Sequence, residues 1–192
     1  MTNLAYPALA QLLYPARRDG GRLRRAALLV IGGAALLTAA AKIQIPFYPV
    51  PQTLQTMVVL LIGTAYGARL GAATVLCYLA IGAAGLPVFA GTPEKGIGLA
   101  YILGPTGGYL AGFVFAAAAC GALARRGWDA KLWTVAAAMC VGNLIIYACG
   151  LSWLGAVAGW DKPILEWGLY PFLFGDAAKI AFAAAALPPI AR

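Results

Sequence analysis

Apolar residues fall along this chain in long unbroken runs, not in the strict alternation of a half-buried strand. The runs cover roughly 26–44, 54–68, 70–85, 105–124, 131–154 and 170–189. A helix needs about 20 apolar residues to cross the hydrocarbon core of a bilayer. Most of the runs approach that length, so the pattern predicts an all-α membrane protein, a compact bundle of six transmembrane helices. The second and third runs are short, and only Tyr66-Gly67-Ala68-Arg69-Leu70-Gly71 stands between them. A break is required there, because Arg69 is costly at mid-membrane but reaches water from a turn.

Composition strengthens that picture. Of the 192 residues 62% are hydrophobic and only 10% charged, against about 25% charged in a soluble domain. One small globule cannot hide so much apolar surface. The expected organisation is a basic N-terminal tail, residues 1–25, followed by a six-helix transmembrane substrate-binding domain, residues 26–192. The formal charge of +8 comes partly from a cluster of Arg17, Arg18, Arg22, Arg24 and Arg25. Nucleic acid is excluded as a partner, since no basic stripe with interleaved aromatics is present.

The charges instead set an orientation across the lipid bilayer. With the N-terminus inside and six crossings, the arginine cluster falls on the cytoplasmic side, together with Arg69, Arg125, Arg126, Lys131 and Arg192. Only Lys42, Lys95 and Lys162 fall outside. That asymmetry follows the positive-inside rule, so both termini are expected in the cytoplasm and the protein in the plasma membrane. The first 25 residues lack the short apolar core of a signal peptide and read as a cytoplasmic tail.

Long connections then lie outside, at 45–53 ("IPFYPVPQT"), 85–104 and 155–168. The three prolines of the first favour extended backbone. Structured loops gathered on one side of a rigid bundle suggest a site that opens to that side. Gly63, Gly67 and Gly71 recur every four residues, as do Gly104, Gly108 and Gly112, a spacing that lets helices approach closely in lipid. Cys77, Cys120, Cys140 and Cys149 lie in apolar runs without a C-x-x-C and read as packing groups. There is no histidine, which removes the commonest metal ligand and proton carrier. Neither a metal, a cofactor nor an enzymatic activity is expected.

One stretch breaks the apolar pattern: "FLFGDAAKIAFAAAAL" carries Asp176 and Lys179. Residues three apart share a helix face and can neutralise each other. Burying two ions is costly even when they pair, and intramembrane ionisable residues are candidates for function by default. If the last helix starts near Tyr170, Asp176 lies roughly 10 Å along it, under the outer loops. A carboxylate accepts hydrogen bonds and an ammonium donates them. The pair therefore suits a ligand edge with N–H donors beside a carbonyl, such as a cyclic urea, and equally an amide or a zwitterion. Asn143, Tyr109, Thr106, Gln52, Thr53 and Gln55 occupy similar depths, and Tyr147 lies one turn after Asn143.

Five phrases then stand in order: "VPQTLQTMVVLLIG", "GAAGLPVFAG", "LGPTGGYLAGF", "GNLIIY" and "GDAAKI". Over roughly residues 26 to 190 the chain resembles the BioY family, the biotin-binding S components of energy-coupling-factor (ECF) vitamin transporters. The resemblance implies a substrate-capture subunit that binds biotin from outside. ATP would be used only on partner subunits, a T component carrying two ATPases. In keeping with this, the chain has no G-x-x-x-x-G-K-[ST] loop. The resemblance further implies that Asp176 and Lys179 contact the ureido ring. Thr106, Tyr109 and Phe89 would line the pocket, and Thr53 and Gln55 would belong to a cap. Lys95, with Thr92 and Asn143 as neutral alternatives, is the candidate partner for the biotin carboxylate. Ala35 and Ala39 offer the small-residue spacing through which S components dock on the T component.

Other classes fit less well. A solitary or ion-coupled permease usually chains several ionisable groups through the membrane, and here one pair is intramembrane. Aspartyl chemistry wants two carboxylates sharing a proton. A purely structural subunit has no use for a buried charge pair under ordered loops.

Overall fold

The computed structural model describes residues 19–186, and they are built almost entirely of helices. Residues 1–18 of the expected tail, with Arg17 and Arg18, lie outside the described residues, as do Arg192 and the end of the last apolar run. Helix α1 spans Asp19–Lys42. A hairpin of two short strands follows, β1 (Gln44–Ile45) paired antiparallel with β2 (Gln52–Thr53), Gln44 opposite Thr53. Next come α2 (Gln55–Tyr66) and α3 (Ala68–Ala83). After a short α4 (Gly98–Ile102), α5 covers Gly107–Leu123 and runs into a π-helical turn at Ala124–Trp128. Helix α6 spans Leu132–Ala158, a short α7 Ile164–Gly168, and α8 Tyr170–Ala186.

Among the described residues three stretches are long and apolar enough to cross a bilayer: Gly21–Lys42, Gly107–Trp128 and Leu132–Ala158. Helices α2 and α3 are apolar but shorter. The expected break between them falls at Gly67, whose φ of 81° is open to glycine but disfavoured for residues with a Cβ. Arg69 therefore stands in the first turn of α3, exposed, and not in the loop itself.

Large apolar side chains point outward all round the bundle, among them Leu28, Phe115, Leu144, Phe174 and Phe182. On a water-soluble protein so much exposed apolar surface would drive association; against lipid it is the natural exterior. Inside, α5 is the central helix, packed against α2, α3 and α6. Small residues make this possible. A Cβ on Gly63 would collide with the backbone of Ala117, and one on Gly108 with Trp153 and Cys149. Helix α1 lies against α3 and α2, and α8 against α6, α7 and α2.

The two ends of the bundle differ. One carries the α2–α3 turn, the π-helical turn and the start of α1, with Arg22, Arg24, Arg25, Arg69, Arg125, Arg126 and Lys131. The other gathers the hairpin, the 84–106 connection and the 159–169 connection. They are bound to the helices by Gln52 Nε2 to the Phe172 carbonyl (3.4 Å), Trp153 Nε1 to the Gly104 carbonyl (2.9 Å) and Tyr109 Oη to the Gly168 carbonyl (2.9 Å).

Close approach of α2 and α5 has a direct test. Gly63→Val drives a branched side chain into the Ala117 backbone and is expected to cost about 1–3 kcal/mol or more. Thermal unfolding of the purified protein in detergent should show a clear fall in Tm. Gly32→Ala, where nothing lies within 4 Å, should leave the Tm unchanged.

Candidate ligand-binding site

At the looped end a cavity opens between the hairpin, α2, α5, α6 and α8. Its walls are mostly apolar, with Val50, Leu110, Phe113, Ile146 and Phe172 among them. Polar groups concentrate on one side.

There Asp176 and Lys179 form an ion pair of 2.7 Å across one turn of α8, with both side chains largely buried. The rest of the network comes from other elements. The Lys179 ammonium also donates to the Thr53 carbonyl (2.7 Å) and to Thr56 Oγ1 (3.0 Å). Thr56 Oγ1 in turn donates to Asp176 Oδ1 (3.1 Å), and Tyr147 donates to Asp176 Oδ2 (2.6 Å). So α8, α2, α6 and the end of β2 meet on two charges. An ammonium has three protons, and all three of Lys179 are engaged. A carboxylate offers about four acceptor positions, and three of Asp176's are filled. The arrangement leaves Asp176 one acceptor position for a ligand N–H. A ligand carbonyl reaches Lys179 by replacing one of its present acceptors.

The hairpin is placed over this site by close contact with α8. The Gln52 amide occupies space that a side chain at Gly175 would fill. Phe47 meets Phe172 edge to face with ring centres 6.1 Å apart. Gln55 lines the cavity, accepts from Thr53 Oγ1 (3.4 Å) and donates to the hydroxyl of buried Tyr78 (2.7 Å).

Of the residues singled out in the sequence, Asp176, Lys179, Thr53, Gln55, Thr106 and Tyr109 line the cavity together. Three do not. Phe89 is fully buried one layer back, stacked on Tyr101 at 4.8 Å, and it is Tyr101 that faces the cavity. Thr92 turns its hydroxyl to the Phe89 carbonyl at 2.7 Å. Asn143 is buried in the interior face of α6, and its Oδ1 has no partner among the described residues. Lys95 is exposed in a second cavity that shares Pro51, Tyr101 and Thr106 with the main one. Ala35 and Ala39 are exposed on the outward face of α1.

Thr56, Tyr101 and Phe172 were not anticipated. Phe172, Asp176 and Lys179 follow the i, i+4, i+7 spacing of one helix face, and Thr56 stands three residues after Thr53. Those spacings were the available signal. Among the described residues no group of three or more metal-ligating side chains comes together.

With this geometry established, similarity to known proteins becomes specific. The BioY family model matches residues 14–192. The chain is 40% identical over 149 residues to the "Probable biotin transporter BioY" of Pyrococcus horikoshii, covering 78% of this chain and 85% of that one. It is 39% identical over 150 residues to the "Biotin transporter BioY" of Thermotoga maritima, covering 78% and 86%. Its fold is similar to the crystal structure, at 2.1 Å, of the S-component for biotin from an ECF-type ABC transporter. That likeness has a TM-score of 0.70 at 24% identity and covers 91% of this chain and 94% of that one. The relatives' names are those of transporters, not enzymes. Taken with its apolar helices, these matches make the chain a multi-pass membrane protein of the BioY family.

Proposed function

We propose that this protein is the substrate-capture subunit of a biotin uptake transporter, binding biotin at the looped end of the bundle. The observation that carries the reading is the buried Asp176–Lys179 pair, held by Thr53, Thr56 and Tyr147 at the edge of a mostly apolar cavity. The bicyclic ring of biotin presents two N–H groups beside a carbonyl. Asp176 would accept from an N–H, and the carbonyl would take the place of Thr56 or the Thr53 carbonyl on Lys179. Thiophane ring and valerate chain would lie against Phe113, Ile146, Phe172 and Tyr101. The carboxylate would point outward to Lys95, across the wall of Pro51, Tyr101 and Thr106 that the two cavities share.

In this reading six helices cross the plasma membrane, with both termini cytoplasmic and the cavity facing outward. Concentration of Arg22, Arg24, Arg25, Arg69, Arg125, Arg126 and Lys131 at the opposite end supports that orientation. Energy would come from an ECF T component and its two ATPase subunits. The exposed small residues Ala35 and Ala39 on α1 would form the docking face.

Removing one member of a buried pair strands the other charge, at a cost of roughly 3–5 kcal/mol. Asp176→Ala and Lys179→Ala are each expected to weaken binding of radiolabelled biotin to the purified protein about a hundredfold to several thousandfold. Full-strength binding in both variants would refute the site assignment. Tyr147→Phe removes one hydrogen bond to a charged group, so equilibrium dialysis should show a smaller loss, about tenfold.

A further inference from the structure

Lys42 ends α1 far along the chain from the 86–97 connection, yet its side chain is committed to it. The ammonium donates to the Phe89 carbonyl (3.0 Å), the Thr92 carbonyl (3.1 Å) and Thr92 Oγ1 (3.0 Å). All three of its protons are used on this one segment. A lysine in the last turn of a helix ordinarily faces its own helix's free carbonyls. This one leaves them and reaches across to another element.

The segment it holds is a wall of the ligand cavity. Besides Thr92's own hydroxyl, three side chains from outside the segment donate to carbonyls of residues 88–92. Tyr78 of α3 donates to Val88 (3.1 Å), Lys42 of α1 to Phe89 and Thr92, and Tyr101 of α4 to Ala90 (2.8 Å). Ala90 and Tyr101 line the cavity, and Phe89 backs Tyr101. Lys42 supplies the one charged donor of the three, and hydrogen bonds to charged groups are the stronger kind. It also belongs to the helix whose outward face exposes Ala35 and Ala39 together with Leu28, Ile31 and Leu36.

We propose that Lys42 is a positioning residue that fastens the 88–92 wall of the cavity to α1, so that a shift of α1 loosens the wall and shortens ligand retention. The ligand half rests on the reading of the cavity as a biotin site, whereas the clamp itself is independent of it. Coupling of this kind needs an element whose position both sites bias, and the ammonium is the physical link between them.

Hydrogen exchange of the full-length protein in detergent, without ligand, tests the clamp. The amides of Thr92, Lys95 and Gly96 bond within the segment, to the Phe89, Gly91 and Pro93 carbonyls. In Lys42→Met their exchange should rise about tenfold or more, while amides of α2 and α5 keep their rates. Lys42→Arg should restore protection. Should Lys42→Met fail to fold, Thr92→Val removes one of the three acceptors and should give a smaller rise at the same amides. Exchange at the parent rate in these variants, or a rise spread over the whole bundle, would overturn the clamp. Biotin dissociation from the same samples tests the second half. It should quicken about tenfold in Lys42→Met and return toward the parent rate in Lys42→Arg. Unchanged dissociation beside faster exchange would overturn the link to retention. A parent protein that binds no biotin would count against the biotin reading, and the exchange rates would still decide the clamp.

Discussion

Two opposite charges inside an apolar bundle have to be satisfied completely, and the architecture of the looped end follows from that requirement. An unpaired ion there is costly, and a pair alone often only breaks even. Here every proton of Lys179 is bound, and Asp176 is met by Lys179, Thr56 and Tyr147. The partners come from β2, α2, α6 and α8, so the same bonds that pay for the charges also hold four elements in register. What remains is one acceptor position aimed at an apolar cavity. A site built this way gains selectivity from its unmet hydrogen-bonding capacity, because a ligand that cannot fill it leaves a buried polar group unpaired.

Second to this comes the close packing that keeps the network in place. Helix α5 approaches α2 and α6 at Gly63, Gly108 and Gly112, where any side chain would meet backbone or a ring. Without a hydrophobic drive between helices in lipid, such contacts are the main source of association. The hairpin is anchored in the same manner, Gln52 lying where Gly175 has no side chain. On the far side of the cavity the wall at 88–92 hangs from Lys42, Tyr78 and Tyr101. One side of the site is thus built on helices and the other on a tethered loop, which places the capacity for movement on the loop side.

Much of this was legible in the sequence because charge and glycine are conspicuous in an apolar background. Asp176 and Lys179 announced themselves as ionisable residues in a greasy run, and Thr53, Gln55, Thr106 and Tyr109 as polar residues at matching depth. Thr56 did not, because threonine in a membrane helix commonly bonds its own backbone. Thr38, Thr64 and Thr74 do so here. Phe89 fell one layer back because Tyr101, from a five-residue helix with little periodicity to read, slides between it and the cavity. Asn143 shares a helix face with Tyr147 but sits one turn, about 6 Å, deeper. The break expected within residues 66–71 narrows to Gly67, because backbone conformation, not charge, decides where a helix turns.

The central claim is that Asp176 and Lys179 read the ureido edge of biotin. The most direct measurement is titration calorimetry of the purified chain with biotin and with an analogue methylated on a ureido nitrogen. Nanomolar-class binding of biotin with a large loss on methylation is the predicted result. Equal affinity for the two ligands would contradict it, and so would the absence of binding to either.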